Sequence, residues 1–375
     1  MKIGLVCPYN MFQFAGGVQE IVFQLQKSLA DKGHEVKIIT PRPRAHLDNP
    51  PADMILVGRS AKVNTPFATM VDFGFEADGD EIQAILDEEQ FDVLHFHEPW
   101  VPLLSRQILS RSNAINVATF HATPPATIMS KSLLNVVVPY TRSVLKYLHA
   151  YTAVSDSAAE YVRSLTDEPV EIVPNGVDLE RFAAPDKKMH HDGKKTILYL
   201  GRLEKRKGVD YLLEAYARLR ETHDDVRLVI GGKGVKRKSL ERTVEQYEVP
   251  DVEFLGFVPE DEKVSLLADA DVYCSPALYG ESFGIVLLEA MGVGTPIVAG
   301  NNPGYATVRT GVGRMSLVNP KSTEDFAQRL ELLLYEEDAR TLWRQWAKDA
   351  VEQYRFDVVA DAYEAVYKNA MKVYA

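Results

Sequence analysis

Hydrophobic positions in the first forty residues follow two different spacings. Residues 2–8 (KIGLVCP) form a short apolar run, which is typical of a buried strand in a parallel sheet. After the turn AGGVQE, apolar residues recur three and four positions apart and predict one buried helix face: Val18, Ile21, Val22, Leu25 and Leu29. Gly33 suits the end of that helix, and residues 35–40 (EVKIIT) predict a second strand.

A second strand–loop–helix–strand pattern begins near residue 195. Residues 195–201 (KTILYLG) and 226–232 (VRLVIGG) resemble strands, and residues 210–220 (DYLLEAYARLR) have helical spacing. Further apolar runs at 91–97 (FDVLHFH) and 116–121 (NVATFH) are typical of central parallel strands. This alternation predicts an α/β fold, and its repetition predicts two doubly wound, Rossmann-like domains that face a cleft.

We place the boundary between these domains near residue 172. Residues 173–194 are rich in proline, glycine and charge, which is typical of a hinge. The N-terminal domain then covers residues 1–172, and the second domain begins at residue 173.

The composition narrows the class of protein. The chain has 375 residues, 46% hydrophobic and 25% charged, as expected for a soluble protein of two domains. Its formal charge of -11 argues against general nucleic-acid binding. The only cysteines, Cys7 and Cys274, lie in apolar runs and predict buried, reduced thiols. Because the sequence shows neither a signal peptide nor an apolar run of membrane-spanning length, we predict a cytoplasmic protein.

Two loops after predicted strands carry features suited to phosphate. Gly16 and Gly17 would let the backbone approach an anion at a helix start, although a simple tight turn is the alternative. The loop lacks the full G-x-G-x-x-G pattern, so nicotinamide binding is not predicted. Arg202 and Lys207 in GRLEKRKG offer a planar fork and a point charge, a pair suited to a diphosphate. We interpret their neighbours Lys205 and Arg206 as solvated.

Two glutamates stand in the apolar, glycine-containing stretch that begins at residue 278 (LYGESFGIVLLEAMGVGTPIVAG). If a helix starts near Ser282, Glu281 lies at its entrance, and Glu289 lies about 12 Å further along the axis. Free N–H groups at the helix start favour a phosphate, and each carboxylate could accept hydrogen bonds from sugar hydroxyls. Helix capping by Glu281 and surface exposure of Glu289 are the alternative.

The histidines and paired aspartates give weaker signals. His95 and His97 have a spacing found in metal sites, but we interpret them as core or cleft-lining residues. His121 ends the next strand and is better placed to reach a ligand, with a core role as the alternative. Asp78 and Asp80 form a D-x-D triplet, which helix capping by Asp80 explains, so we predict no metal site.

Taken together, the motifs resemble those of the family 4 retaining glycosyltransferases of GT-B architecture, over nearly the whole chain. They are GGVQE, HFHEPW, TFH, VPNGVD, GRLEKRKG and GESFGIVLLEAMGVGTPIV. Within that family the chain is similar to bacterial phosphatidylinositol mannosyltransferases, which share VCPY, GGVQ, HEP and GESFGIVL. The resemblance implies that residues 173–355 bind the nucleotide sugar and that a helix at 356–375 crosses back to the acceptor-side domain.

The resemblance also implies roles for individual residues. Arg202 and Lys207 would neutralise the diphosphate, and His121 and Glu281 would contact the transferred sugar. The remaining donor-binding positions would surround the phosphates, ribose and base: Gly16, Gly17, Gly232, Val258, Glu260, Lys263, Ser282, Phe283, Gly284, Ile285 and Glu289. No tightly bound cofactor is implied, and stimulation by Mg²⁺ is compatible with this chemistry. The implied partners are a nucleotide sugar and a glycolipid or saccharide acceptor, with peripheral association at the cytoplasmic membrane face.

The donor and the acceptor are left open by the sequence. Glu260 could accept two N–H groups of guanine, which favours GDP-mannose over the alternative, a UDP-sugar used for polysaccharide or glycoside synthesis. Residues 70–90 are acidic where the resembled enzymes carry a basic stretch that meets anionic lipid, while Lys131, Arg142 and Lys146 could form a smaller basic face. Two rival hypotheses are a non-catalytic binding module and a zinc hydrolase built on His95 and His97.

Overall fold

A computed structural model describes the chain except for residues 13–15, 46, 48, 65–69, 76, 102, 123–130, 183–192 and 375. Contacts divide the chain into two units, Met1–Gly176 with Phe356–Ala375, and Val177–Arg355. We predicted a boundary near residue 172. The Val173 N–H still donates to the Ala153 carbonyl at 3.0 Å in the first unit, whereas the Val177 N–H donates to the Tyr354 carbonyl at 2.7 Å in the second.

The first unit is built on parallel strands that alternate with helices. Its strands are β1 (Lys2–Val6), β2 (Glu35–Pro41), β3 (Met54–Val57), β4 (Arg59–Asn64), β5 (Met70–Phe75), β6 (Val93–His97), β7 (Ile115–Phe120), β8 (Ala150–Ala153) and β9 (Val170–Ile172). Seven of these described strands form one sheet in the order β3-β2-β1-β6-β7-β8-β9, and β4 and β5 form an antiparallel pair. Neighbours in the sheet are parallel, so their carboxyl ends share one edge.

The helices of the first unit cover this sheet. They are α1 (Gly17–Asp31), α2 (Gly79–Glu89), α3 (Leu104–Leu109), α4 (Lys131–Leu145), α5 (Asp156–Arg163) and, from the end of the chain, α13 (Phe356–Tyr374). Tyr363 and Tyr367 of α13 share a buried cluster with Val22 and Leu25 of α1. The C-terminal helix therefore belongs to the core of the first unit.

The second unit repeats the plan. Its strands are β10 (Lys195–Leu200), β11 (Val226–Gly231), β12 (Val252–Gly256), β13 (Val272–Ser275), β14 (Ile297–Gly300) and β15 (Leu317–Val318), in the parallel order β12-β11-β10-β13-β14-β15. Its helices are α6 (Val209–Arg220), α7 (Arg237–Gln246), α8 (Glu260–Asp269), α9 (Ile285–Val293), α10 (Pro303–Val308), α11 (Thr323–Tyr335) and α12 (Glu337–Val351). Both units are therefore doubly wound α/β domains.

Two sequence-based details were wrong. The helix predicted to start near Ser282 begins at Ile285, because Gly284 adopts a left-handed conformation at φ 103°. The axial separation calculated for Glu281 and Glu289 therefore does not apply, since Glu281 lies before the helix. Asp78, not Asp80, caps α2: its carboxylate accepts the Asp80 N–H at 3.0 Å.

Both cysteines are free and buried, as predicted, and burial raises the pKa of the Cys7 thiol to about 12. Among the described helices, none combines the length and apolar character that crossing a bilayer requires.

Candidate active site

Charged residues of the second unit gather where two neighbouring strands end. Strands β10 and β13 pair in parallel through Ile197 and Val272 although they are not consecutive in the chain. In open α/β sheets, ligands bind beyond the carboxyl ends of strands at such a switch point. Residues 201–208 follow β10, and Glu281 lies in the segment after β13.

Three cations and two carboxylates form what we call the basic cluster: Arg202, Glu204, Arg206, Lys207 and Glu281. Glu281 Oε1 accepts from Lys207 Nζ at 2.8 Å and from Arg206 Nη1 at 2.5 Å. Glu204 links the two arginines, because its oxygens lie 2.8 Å from Arg202 Nη1 and 3.1 Å from Arg206 Nε. The cluster carries a net charge of about +1, which suits it to bind an anion.

Burial and the neighbouring charges together shift the pKa values of these side chains. Burial alone would raise the pKa of the Glu281 carboxyl, but Lys207 and Arg206 outweigh it and the pKa is lowered. Burial lowers the pKa of Lys207, and Glu281 offsets only part of that shift. Burial also lowers the pKa of Arg202, whose side chain is 44% exposed and is the most accessible cation of the cluster. An anion bound here would therefore meet cations whose charge the two glutamates neutralise only in part.

The prediction that Arg206 is solvated was wrong. Its side chain is only 18% exposed, because it lies between Glu204 and Glu281 and also donates to the Gly280 carbonyl at 3.2 Å. Lys205, in contrast, is exposed as predicted. The two differ because residues 205–207 form a single 3₁₀ turn, which directs adjacent side chains to different sides.

The entry to α9 requires glycine. A Cβ on Gly284 would lie 2.7 Å from Tyr305 Cδ1, and its φ of 103° is unfavourable for other residues. Gly284, the N-cap residue, has no side chain with which to cap the helix, which suits the backbone N–H groups at its start to a ligand. Phe283 beside it is buried and packs edge-on against Tyr354 at 5.8 Å. The turn at Ser282–Gly284 is thus packed against two tyrosine rings, Tyr305 and Tyr354.

A second ion-pair group surrounds Glu289, which is 8% exposed on α9. Lys263 Nζ lies 2.7 Å from Glu289 Oε1 and 2.7 Å from Glu260 Oε2, and Arg181 Nη2 lies 3.1 Å from the same Glu260 oxygen. Burial raises the pKa of Glu289, and Lys263 offsets part of the shift. Glu260 is the first residue of α8 rather than part of a loop, and its Oε2 is already shared by two cations. These two groups place carboxylates both before α9 and within it.

Glycine backbones form a close contact at the ends of β10 and β11. A Cβ on Gly232 would lie 1.8 Å from the Gly201 carbonyl oxygen, and its φ is 142°. A Cβ on Gly231 would lie 2.8 Å from Val258 Cγ2. Gly232 and Val258, two of the predicted donor-binding positions, therefore neighbour the same strand end, and only a residue without a side chain fits at Gly232.

In the first unit, Gly16 and Gly17 mark the start of α1. The Gly16 N–H donates to Gln19 Oε1 at 2.8 Å, and a Cβ on Gly16 would lie 2.5 Å from that oxygen. Gln19 therefore occupies the space above Gly16. This capping contact matches the tight-turn alternative, and approach to a phosphate stays a prediction.

The histidines line up at the carboxyl ends of β6 and β7. His97 Nδ1 lies 2.9 Å from His121 Nε2, and the ring of His95 packs against that of His97 at a tilt of 35°, with centroids 4.2 Å apart. His95 and His97 are fully buried, and His121 is 7% exposed. Glu98, at φ 52°, accepts the His121 backbone N–H at 2.7 Å. Within the described residues, no group of three or more histidine, cysteine and acidic side chains is arranged to hold a metal.

Comparison with known proteins identifies the family. The sequence signature described as Glycosyltransferase Family 4 matches residues 15–181, and that of Glycosyl transferases group 1 matches residues 180–350. The phosphatidyl-myo-inositol mannosyltransferase of Mycolicibacterium smegmatis is 35% identical over 375 residues, covering 98% of this chain and 94% of the relative. The chain belongs to glycosyltransferase family 4.

Further comparisons agree with this assignment. The phosphatidyl-myo-inositol mannosyltransferase of Mycobacterium tuberculosis is 36% identical and covers 98% of this chain and 97% of its own length. Sucrose-phosphate synthase from Thermosynechococcus elongatus has the same fold, with a TM-score of 0.78 at 19% identity and complete coverage (100%) of both chains. The predicted family, the GT-B fold class and the assignment as an enzyme are confirmed: this protein is a glycosyltransferase.

Several residues of this glycosyltransferase's site were missed from sequence. Glu204 was given no role and Arg206 was interpreted as solvated, yet they connect Arg202 to Glu281. Glu98 received no role, although its position directly after a buried strand was a signal. Burial raises the pKa of Glu98 to about 8, and the hydrogen bond from the His121 backbone opposes this shift. The structure brings Arg202, Lys207 and Glu281 together within one cluster, and it places His121 in the other unit.

Proposed function

We propose that this glycosyltransferase is a retaining mannosyltransferase that uses GDP-mannose and acts on a glycolipid or cell-envelope acceptor such as phosphatidylinositol. Two relatives that match nearly the whole chain at 35% and 36% identity carry the name phosphatidyl-myo-inositol mannosyltransferase. Identity at this level over this length supports a shared type of donor and acceptor.

The observation that carries the proposal is the basic cluster at the switch point. Lys207 and Arg206 converge on one Glu281 oxygen beside the start of α9, with Arg202 exposed next to them. A nucleotide diphosphate would meet fixed cations and backbone N–H groups at the place where ligands enter such sheets. Glu281 would then be free to accept hydrogen bonds from donor-sugar hydroxyls, and Glu289 to accept them from the ribose.

The chemistry follows from these positions. As the bond between the sugar's anomeric carbon and the diphosphate oxygen breaks, positive charge develops on the sugar and negative charge on the diphosphate. Arg202 and Lys207 stabilise that negative charge more strongly in the transition state than in the ground state. In front-face displacement, the departing phosphate oxygen accepts the proton of the acceptor hydroxyl, which attacks from the same face, so the configuration is retained.

The acceptor-side unit supports a peripheral, lipid-facing role only in part. Helix α2 (Gly79–Glu89) is acidic, which disfavours contact with an anionic bilayer through that segment. Arg142 and Lys146 are exposed and four residues apart at the end of α4, which suits weak attraction to lipid headgroups. The Lys131 side chain lies outside the described residues. We therefore propose reversible association of a cytoplasmic enzyme with the membrane surface.

The test is a donor and acceptor panel. The protein is incubated with GDP-mannose, UDP-glucose or UDP-N-acetylglucosamine, each with and without phosphatidylinositol vesicles, and released nucleotide and labelled lipid are measured. We expect GDP release and mannosyl-lipid only in the first mixture with vesicles, with the product's α-linkage retained. Turnover of a UDP-sugar without turnover of GDP-mannose would replace this proposal by the UDP-sugar alternative.

We further propose that no tightly bound cofactor takes part and that Mg²⁺ acts only by partly neutralising the diphosphate. A parallel incubation with a chelator then lowers the rate severalfold without abolishing it. Complete and Mg²⁺-reversible loss of activity would show that the metal is essential.

A further inference from the structure

The hydrogen bond between two buried histidines defines how His121 can act. His97 Nδ1 and His121 Nε2 are 2.9 Å apart, and their rings lie 5.2 Å apart in a stacked arrangement. Burial lowers the pKa of His97, and it lowers the pKa of His121 to about 4, so both imidazoles are neutral at pH 7. A neutral imidazole has one N–H donor and one acceptor nitrogen. In this hydrogen bond one ring therefore donates its N–H and the other accepts it.

The surroundings decide which ring donates that proton. His97 Nε2 is buried and has no hydrogen-bond partner among the described residues. If His121 were the donor, the proton of His97 would sit on Nε2 as a buried N–H without an acceptor, which is less favourable than a buried lone pair. His97 therefore donates through Nδ1, and His121, which accepts at Nε2, carries its own proton on Nδ1.

We propose that His97 is a positioning residue for His121: its Nδ1–H donates to His121 Nε2 and holds His121 as the neutral Nδ1–H tautomer. In this state the ring offers a hydrogen-bond donor to a sugar hydroxyl and takes no part in proton transfer. The inference rests on the proposed function for the role of His121, although the tautomer itself does not depend on any substrate.

Neighbouring residues hold the two histidine rings in this arrangement. His95 backs His97 with ring centroids 4.2 Å apart, and both His95 nitrogens are engaged, by Tyr367 at 2.7 Å and Thr119 at 2.6 Å. Glu98 fixes the His121 backbone through the N–H bond at 2.7 Å. The His121 ring is thus held through Nε2 and through its main chain, and Nδ1–H is the ring group that would meet a ligand.

Two variants separate positioning from packing. In His97→Asn, the side-chain amide nitrogen replaces Nδ1 and keeps a donor for His121, whereas His97→Leu keeps bulk and removes the donor. Nitrogen-15 NMR of histidine-labelled protein distinguishes protonated from unprotonated ring nitrogens, and the His121 signals are assigned by their loss in His121→Gln. Thermal unfolding of each variant checks that it is folded.

We expect His121 to be protonated on Nδ1 in the wild-type protein and in His97→Asn, and to exchange between both tautomers in His97→Leu. With GDP-mannose and phosphatidylinositol, kcat of His97→Leu falls about tenfold or more through misplacement of the ring, while KM for the donor changes little and His97→Asn recovers most of the loss. Protonation of wild-type His121 on Nε2 overturns the proposal, even if His97→Leu does not fold. So does a His97→Leu variant with the wild-type nitrogen spectrum. Failure of the proposed function would appear instead as absent GDP-mannose turnover with the expected NMR pattern intact.

Discussion

Replacement of Glu281 by glutamine is expected to have opposite effects on nucleotide binding and on sugar transfer. Glu281 supplies the negative charge shared by Arg206 and Lys207 at 2.5 and 2.8 Å, and these three side chains are 13 to 18% exposed. Glutamine keeps the shape and one acceptor oxygen but removes that charge. The net charge of the basic cluster rises from about +1 to about +2.

The magnitudes follow from burial and distance. Breaking a buried pair by removing one partner costs about 3–5 kcal/mol, and because glutamine still accepts one hydrogen bond we expect about 2–4 kcal/mol. In a unit of this size, each 1 kcal/mol lowers Tm by roughly 2–4 °C, so the Tm of the second unit should fall on the order of 10 °C. An added unit charge about 6 Å from a phosphate contributes roughly 3 kcal/mol at an effective dielectric of 20. Screening that halves this value leaves about 1.4 kcal/mol, so GDP should bind on the order of tenfold more tightly.

Sugar transfer should change in the other direction. Loss of a carboxylate acceptor for the donor-sugar hydroxyls removes a charged hydrogen bond of about 1.5–3 kcal/mol, so kcat should fall roughly tenfold to a hundredfold. Calorimetry with GDP, donor kinetics and thermal unfolding measure the three effects. Glu324→Gln, which breaks the exposed pair with Arg218 at 3.0 Å, is the matched control and should leave all three unchanged.

The pH dependence gives an internal check. Because the net pKa of Glu281 is lowered in the folded protein, its contribution to stability is present above the pKa of the unfolded chain and is lost as pH falls through the folded-state pKa. The Tm difference between wild type and Glu281→Gln should therefore shrink as the pH is lowered below about 4.5. Weaker GDP binding by a folded Glu281→Gln variant would refute the view that this carboxylate competes with the diphosphate for the cations.

Three further predictions test other parts of the site. Arg202→Ala and Lys207→Ala should each lower turnover about 10²-fold or more, whereas Lys205→Ala, on an exposed neighbour, should not; near-normal kinetics in the first two would count against their role. Gly284→Ala should lower the free energy of unfolding, measured in urea, by about 1–3 kcal/mol. Gly294→Ala should lower it by less, because φ at Gly294 is also positive at 79° but a Cβ there meets nothing within 4 Å. Equal losses in the two variants would contradict the packing argument. The folded-state pKa of Glu98 is raised to about 8, so its contribution to stability is full below the pKa of the unfolded chain and is lost as the pH rises to about 8. The Tm of the wild-type protein should therefore fall across that pH range, and Glu98→Gln should abolish the slope.

Hydrophobic spacing was enough to predict several of the strands and helices and the doubly wound fold. The apolar runs at 91–97 and 195–201 contain β6 and β10, and the helix-like spacing after residue 16 corresponds to α1. Such patterns are local, because the side chains that pack on one face of a helix or strand are near neighbours in sequence. The carboxylates Glu281 and Glu289 could likewise be singled out, since charged residues in an apolar segment need a partner.

What could not be predicted depends on partners distant in sequence. Arg206 is largely shielded from solvent because Glu281, 75 residues later, is brought to it by the pairing of β10 with β13. The start of α9 depends on the left-handed Gly284, whose need for glycine is set by Tyr305 packed beneath it. The His97–His121 contact arises because β6 and β7 are adjacent and parallel, which alternation of polar and apolar residues does not reveal.

The central claim is that a nucleotide pyrophosphate binds at the turn before α9, and a crystal structure with bound GDP tests it most directly. We expect the phosphates to lie within hydrogen-bond distance of the backbone N–H groups of Gly284 and Ile285, with Arg202 and Lys207 in contact with them. Pyrophosphate bound elsewhere on the chain, with Lys207 and Arg206 still paired to Glu281, would contradict it.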